Sequence, residues 1–250
     1  MGRVAFVGAG PGAVDLLTLR AARLLAQADV VLVDALAGAE FRELAPHARW
    51  VDVGKRGFRA STAQDVICAL LVRMAREHAL VVRLKGGDPS VFGRLDEELQ
   101  ALHAAGIEFE IVPGVSAALA AAADTARPLT RRGRGRSVAL CTAMTREGRV
   151  RAARVADTEV YYMAGCRLGA LSRELQAAGW PAATAVSVVS RAGCADRLQS
   201  EHVVADLGRA ALLHAGRPSV VVVGVGAEPL QGRPAPVLLS DRADGASVLR

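Results

Sequence analysis

The sequence predicts an α/β protein whose two halves differ in sheet architecture. In the first half, apolar runs of strand length alternate with segments of helical periodicity, the pattern of a mostly parallel sheet with right-handed crossovers. In the second half, residues 197–204 have the pattern of a turn and a returning strand, which indicates a hairpin within a mixed sheet. A polar, basic and glycine-dotted stretch at 124–136 separates the halves and is typical of a linker.

In the first half, a strand is expected at each apolar run and a helix at each segment of helical periodicity. The expected strands are 3–8, 29–34, 49–53, 80–84 and 108–112. The expected helices are 15–27, 38–46, 61–78 and 92–105. Ser61 or Thr62 is the expected N-cap of the third helix, because a hydroxyl can accept a bond from a free N–H of the first turn, and Gly106 ends the fourth helix. Pro113 and Gly114 then stop the alternation.

The second half follows an alanine-rich helical segment at 115–123. Its expected strands are 137–142, 158–163, 184–190, 201–204 and 219–225, with a helix at 167–178 that ends at Gly179. Residues 232–250 show no periodicity and are expected to form a loose tail. The chain is therefore divided into an N-terminal α/β domain (1–113), a linker with a helix (114–136), a C-terminal α/β domain (137–231) and this tail.

The composition excludes several classes of protein. An apolar content of 52% argues against disorder, and no apolar run reaches membrane-spanning length. The chain enters its first strand at once, without the apolar region of a signal peptide, so a cytoplasmic location is expected. No His, Cys and carboxylate cluster has metal-ligand spacing, so no metal is expected. No Cys-x-x-Cys pair occurs, and reduced, mostly buried thiols are expected at Cys68, Cys141, Cys166 and Cys194.

The charge pattern favours an anionic partner. The net charge is +6, but aromatic residues make up only 4% of the chain, too few for a nucleic-acid stacking platform. The densest basic run, 127–136, is either a solvated loop or an arginine clamp for several carboxylates or phosphates. Lysine occurs only at Lys55 and Lys85, each beside glycines just after a predicted strand, where a compact, titratable cation would be of use.

The most informative stretch is a glycine turn within residues 81–94. Gly86 and Gly87 directly follow a predicted buried strand, and a residue without Cβ lets a ligand approach the backbone closely. Asp88 supplies an acceptor at the turn, and Pro89 fixes the exit of the chain. The alternative interpretation is an ordinary connection between a strand and a helix.

A second glycine turn, at 8–12, formally meets the dinucleotide-binding pattern. Asp34 closes the next strand, where such a fold would hold a ribose, so these residues alone suggest a nicotinamide-dependent oxidoreductase. Pro11 argues against this hypothesis, because it removes a backbone N–H from the loop that would cradle a pyrophosphate. The turn at Gly86 and Gly87 also has no function in that fold. A third hypothesis, a non-catalytic anion- or nucleic-acid-binding protein, rests on charge alone.

Several segments together resemble the tetrapyrrole methyltransferases, in order and at compatible spacing from residue 3 to about 230. The segments that carry the resemblance are 7–12 with 16–18, 33–34, 53–56, 85–94, 112–117, 128–130 and 162–163. The sequence departs from the family pattern at Ala13, Ser116, Arg131 and 142–144, where an acid, a threonine, a histidine and Thr-Gly-His are usual. These departures concentrate on the substrate-facing half, so the exact tetrapyrrole, a precorrin included, stays open.

The resemblance implies the class III fold of these enzymes: two α/β domains with S-adenosylmethionine in the cleft between them. It implies C-methylation of an anionic tetrapyrrole by a homodimer, with no role for nucleic acid or a membrane. Asp34 would be the proton acceptor and Lys55 the proton donor. The cofactor site would be lined by Pro11, Gly86, Gly87, Asp88, Val91, Ser116, Ala117, Met163 and Ala192.

Overall fold

The described part of the chain forms two five-stranded sheets joined by a helical segment. The computed structural model describes residues 2–34, 39–54, 63–145 and 147–230. Three predictions fall outside these residues: the proton donor Lys55, the N-cap at Ser61 or Thr62, and the tail at 232–250.

The first sheet is entirely parallel, as the alternation of strands and helices predicts. Its strands are β1 (Arg3–Gly8), β2 (Val30–Val33), β3 (Arg49–Asp52), β4 (Leu80–Lys85) and β5 (Glu108–Val112). Their order is β3-β2-β4-β1-β5. All five carboxyl ends therefore face one edge, which is where open α/β sheets bind ligands.

The helices cover both faces of this sheet. The helices are α1 (Leu19–Leu25), α2 (Gln64–Glu77) and α3 (Leu95–Ala104), and 3₁₀ turns form at Val14–Leu16 and Ala39–Leu44. Helix α1 packs with Val7, Val31 and Val82 on one face. Helices α2 and α3 pack with Phe6 and Leu32 on the other.

Helix starts are where the structure differs from the expectations. The predicted helix at 15–27 is divided, because Leu17 and Thr18 are extended and the Thr18 hydroxyl accepts a bond from the backbone N–H of Ala21 at 3.2 Å. The segment predicted as a helix at 38–46 contains only the 3₁₀ turn. Helix α3 begins at Leu95 rather than at residue 92, because Arg94 is left-handed (φ 52°). The N-cap of α2 is Ala63.

The second sheet is mixed, which confirms the prediction made from the hairpin. Its strands are β6 (Val138–Thr142), β7 (Thr158–Tyr162), β8 (Ala185–Ser190), β9 (Leu198–Val203) and β10 (Ser219–Gly224). Their order is β6-β7-β10-β8-β9, and only β6 and β7 are adjacent and parallel. Strand β9 starts at Leu198 instead of residue 201, and the 3₁₀ segment Val204–Ala211 was not predicted.

Two helices pack against opposite faces of the second sheet. Helix α4 (Ala117–Thr125) contacts Val160 and Val222, and it directly follows the first sheet in the chain. Helix α5 (Leu168–Ala177) packs with Tyr161 and Val188 on the other face. Because α4 joins the two sheets, the turn that precedes it lies at their junction.

Membrane-spanning helices, metal clusters and disulfides are absent from the described residues. These residues contain no helix long and apolar enough to cross a membrane. Within the same residues, no group of three or more His, Cys, Asp or Glu side chains is placed to hold a metal ion. The four cysteines form no disulfide; Cys166 is exposed and the other three are half-buried, so the expectation of mostly buried thiols was wrong.

Candidate functional site

The two glycine turns that the sequence presents separately meet in the structure. Gly10 and Gly87 exchange backbone hydrogen bonds: the N–H of Gly10 donates to the carbonyl of Gly87 at 3.2 Å, and the N–H of Gly87 donates to the carbonyl of Gly10 at 2.7 Å. This bridge lies just beyond the carboxyl ends of the adjacent strands β1 and β4. It brings Pro11 to the same edge of the sheet as Gly86 and Asp88.

A third turn packs against this bridge so closely that only glycine fits. A Cβ added at Gly8 would lie 2.6 Å from the Cα of Gly114, and one at Gly114 would lie 2.3 Å from the carbonyl oxygen of Gly87. Gly87 is different: its φ is +68°, and an added Cβ would meet nothing within 4 Å. The backbone at Gly87 therefore faces open space, as the close approach of a ligand requires.

The Asp88 carboxylate fastens the turn after β4 to the turn after β5. One oxygen accepts the backbone N–H of Ser90 at 2.8 Å, and the other accepts the N–H of Gly114 at 3.0 Å. The carbonyl of Asp88 also accepts the N–H of Val91 at 3.1 Å, which makes that turn compact. Asp88 therefore shapes the backbone around the open space at Gly87.

Changing Asp88 to alanine is expected to loosen both turns. The N–H of Gly114 would lose its acceptor in a half-buried position, which costs about 1–3 kcal/mol of unfolding free energy. Urea unfolding monitored by circular dichroism measures this loss. Asp88→Asn keeps one acceptor oxygen and should recover part of the stability. Equal stability of the alanine variant and the wild-type protein would contradict the fastening role.

The second sheet contributes an aromatic and a sulfur side chain. The Ser116 hydroxyl lies 2.6 Å from the Tyr162 hydroxyl, so it bonds to the second sheet rather than capping α4. The Tyr162 ring packs 5.2 Å from the ring of Phe92, which belongs to the first half of the chain. Burial raises the pKa of Tyr162, so its hydroxyl keeps its proton and remains a donor. Met163 follows with φ +60° and a half-exposed side chain (54%).

The loop after β8 reaches across to the first glycine turn. A Cβ at Gly193 would lie 2.7 Å from Cγ of Pro11, and Cys194 Sγ lies 3.9 Å from the Pro11 carbonyl oxygen. Ala192, in the same loop, is buried in the apolar cluster around α4. Ala117 packs against this cluster. The predicted cofactor residues on the two halves of the chain therefore lie around one junction.

Asp34 lies at the same edge of the first sheet, directly after β2. Its Oδ1 accepts a hydrogen bond from Nη2 of Arg83 at 2.6 Å, and its backbone N–H donates to the carbonyl of Leu84 at 3.2 Å. The side chain is 29% exposed, and Oδ2 has no partner among the residues that the structure describes. Within the described residues, the carboxylate is thus held through Oδ1 alone, an arrangement that suits a general base acting through Oδ2.

Behind Asp34 lies a buried group of charges. Glu98, on α3, accepts from Nε of Arg83 at 3.3 Å and from Nζ of Lys85 at 2.9 Å. All three side chains are at most 3% exposed. Burial lowers the pKa of Lys85, the adjacent Arg83 cation lowers it further, and Glu98 opposes both effects. Arg83 and Glu98 were not predicted as site residues; the available signal was Arg83, a charged residue within a strand expected to be buried at 80–84.

The basic run lies at the opposite edge of the second sheet. Arg134 pairs with the Glu228 carboxylate at 2.5 Å, and Nη1 of Arg131 donates to the carbonyl of Pro229 at 3.2 Å. The backbone N–H of Arg136 donates to Asp157, which precedes β7, whereas Met163 follows that strand. A five-residue strand spans roughly 16 Å. Arg131 and Arg134 therefore stabilise the chain far from the junction, and the structure favours this role over a clamp.

The comparisons with known proteins agree with this geometry. Residues 3–211 match the family described as Tetrapyrrole (Corrin/Porphyrin) Methylases. The chain is 43% identical over 231 residues to the uroporphyrinogen-III C-methyltransferase of Pseudomonas aeruginosa, covering 89% of this chain and 93% of that protein. It is also 43% identical over 229 residues to siroheme synthase 1 of Serratia proteamaculans, covering 89% of this chain but 48% of that protein, and so spans about half its length.

The fold is similar to a solved structure as well. The crystal structure of uroporphyrin-III C-methyl transferase from Thermus thermophilus, complexed with S-adenyl homocysteine, superposes with a TM-score of 0.78 at 37% identity. The match covers 89% of this chain and 97% of that one. The similarity therefore includes both sheets of the chain.

Proposed function

The chain belongs to the tetrapyrrole methylase family, and from this premise we propose that it transfers methyl groups from S-adenosylmethionine to two ring carbons of uroporphyrinogen III. The product would be precorrin-2, a precursor of sirohaem and cobalamin. The enzyme class, an S-adenosylmethionine-dependent methyltransferase, follows from the family itself. A paralogous enzyme that methylates another precorrin is the alternative, because the sequence departs from the family pattern mainly on the substrate-facing half.

The observation that carries this proposal is the open backbone at Gly87. The chain leaves space in front of this glycine while packing Gly8 and Gly114 tightly behind it. Pro11, opposite, offers no N–H to a pyrophosphate, which a nicotinamide dinucleotide would need. We assign the cofactor site to Pro11, Gly86, Gly87, Asp88, Val91, Ser116, Ala117, Met163 and Ala192.

The chemistry required of the protein is chiefly positioning. S-adenosylmethionine supplies an activated sulfonium methyl group, and a pyrrole carbon is an electron-rich nucleophile. The chain must align the two and exclude water, a role that the closely packed turns and the Phe92–Tyr162 contact support. Asp34, held by Arg83 through Oδ1, would stabilise the cationic ring and accept its proton through Oδ2. Lys55, outside the described residues, is proposed as the proton donor.

A calorimetric titration tests the cofactor assignment. The protein is expected to bind S-adenosylhomocysteine in the micromolar range and not to bind NAD. Tight binding of NAD without binding of S-adenosylhomocysteine would revive the oxidoreductase hypothesis, and binding of neither would favour the non-catalytic one. Anaerobic methyl transfer to uroporphyrinogen III, followed by mass spectrometry, then distinguishes this substrate from a precorrin.

We extend the proposal to the assembly, the location and the domain division. A homodimer is supported by the family and by exposed apolar side chains on two of the four edge strands of the described sheets, Phe109 and Ile111 on β5 and Leu140 on β6. The cytoplasmic location is proposed from the family alone. Light scattering of the purified protein would contradict the dimer if it gave the monomer mass, and cell fractionation tests the location. After removal of the predicted loose tail, limited proteolysis should next cut between the proposed domains 1–113 and 137–231.

A further inference from the structure

Arg83 lies between the proposed base and a buried acid, and it contacts both. Its Nη2 donates to Oδ1 of Asp34 at 2.6 Å, and its Nε donates to Oε1 of Glu98 at 3.3 Å. The third nitrogen, Nη1, lies 3.4 Å from the carbonyls of Leu32 and Leu84. Every guanidinium nitrogen therefore has a partner, and the plane of the fork is fixed.

The burial of this group is not explained by stability alone. Arg83 and Lys85 are both 2% exposed and Glu98 is fully buried, on a face otherwise packed with aliphatic and aromatic side chains. Replacing buried ion pairs by well-packed apolar residues is often neutral or stabilising, since desolvation offsets most of the attraction. The chain nevertheless places two cations and one buried anion directly behind Asp34, so these charges are expected to serve the site.

We propose that Arg83 is a positioning residue for Asp34. By holding Oδ1, the guanidinium turns Oδ2 toward the open edge of the sheet, where the substrate would lie. Glu98 holds Arg83 from the other side, Gln64 donates to the same Glu98 oxygen at 3.1 Å, and Lys85 occupies the second Glu98 oxygen. This inference rests on the proposed function, and in particular on Asp34 as the base.

A double-mutant cycle tests the inference. Arg83→Lys keeps the charge, but an ammonium group cannot bridge Asp34 and Glu98 as a fork does. In single-turnover methyl transfer with S-adenosylmethionine and uroporphyrinogen III, this variant is expected to lose about tenfold or more in rate, because small misplacements of a reacting group are costly. In the Asp34→Asn background, the same change should cost less than about twofold, because residues that act as a unit are non-additive.

The control is a second buried arginine. Arg127 donates to the carbonyl of Ala227 and pairs with Glu201 in the second half of the chain. Arg127→Lys should lower the melting temperature without changing the methyl-transfer rate in either background. Affinity for S-adenosylhomocysteine should stay within about twofold in all variants, because Arg83 acts on the base and not on the cofactor turn.

The outcomes separate the inference from the proposed function. Equal rate losses from Arg83→Lys in both backgrounds, or no loss in either, would overturn the positioning role while leaving Asp34 as the base. A wild-type rate for Asp34→Asn would overturn both. If Arg83→Lys does not fold, Glu98→Gln weakens the other anchor of Arg83, because it removes the negative charge with little change of shape. Its rate loss must likewise disappear in the Asp34→Asn background.

Discussion

Asp34→Asn should leave the affinity for S-adenosylhomocysteine nearly unchanged and slow single-turnover methyl transfer about 100-fold or more, the usual scale for a positioned acid–base group. An amide cannot take a proton from the ring, and it stabilises the adjacent cation less than a carboxylate does. The change is nearly isosteric, so the packing after β2 should be preserved. Rapid-quench measurements of the rate, alongside calorimetric measurements of cofactor affinity, distinguish the two effects.

The control for this variant lies at the other end of the same strand. Asp29 precedes β2, and its carboxylate accepts the backbone N–H of Leu80 at 2.8 Å. Asp29→Asn should therefore leave the methyl-transfer rate as it is. If Asp34→Asn instead keeps full turnover and weakens cofactor binding, the residue holds a ribose, and the dinucleotide interpretation of the first glycine turn regains its support.

Gly87→Val should abolish binding of S-adenosylhomocysteine. A Cβ at this position projects into space that is empty of protein atoms, and a branched side chain would fill the volume assigned to the cofactor. The backbone conformation adds strain, since φ is +68° and β-branched residues rarely adopt such values. Titration calorimetry on the folded variant measures the loss.

Gly106→Val is the control that separates the loss of space for the cofactor from the backbone strain. Gly106, directly after α3, has nearly the same φ (+66°) and the same empty surroundings, but it is remote from the carboxyl ends of the strands. It should suffer a similar loss of stability and bind the cofactor normally. If the folded Gly87→Val variant binds S-adenosylhomocysteine normally, Gly86 and Gly87 form only a turn and are not part of the cofactor site.

The strands could be predicted from the sequence because their signal is local. Buried runs such as the one in β4 are bounded by glycine, proline or polar residues, and the observed strand ends differ from the predicted ones by at most one residue, except at the start of β9. Helix starts were less accurate because they depend on backbone geometry without a sequence signal. Phe92 and Arg94 both adopt left-handed conformations, although neither is a glycine or an asparagine.

The glycines and the acid proposed for the site were predicted from the sequence, but the charges that support the acid were not. Gly87 and Asp34 could be selected from the sequence because each lies at or just after the end of a predicted strand. The partnership of Arg83 with Glu98 joins a strand to a helix and depends on their packing, which the order of residues does not display. The partners of the basic run could not be predicted for the same reason: charge density alone does not show that Arg134 has Glu228 as a neighbour.

The bridge between Gly10 and Gly87 also bears on how the protein is made. It connects residues that are far apart in the chain, so loop closure opposes it until β1 and β4 have paired. A chain still emerging from the ribosome therefore has no completed cofactor turn while only its first strands are available. The turn proposed for the cofactor is therefore completed only together with the assembled first sheet.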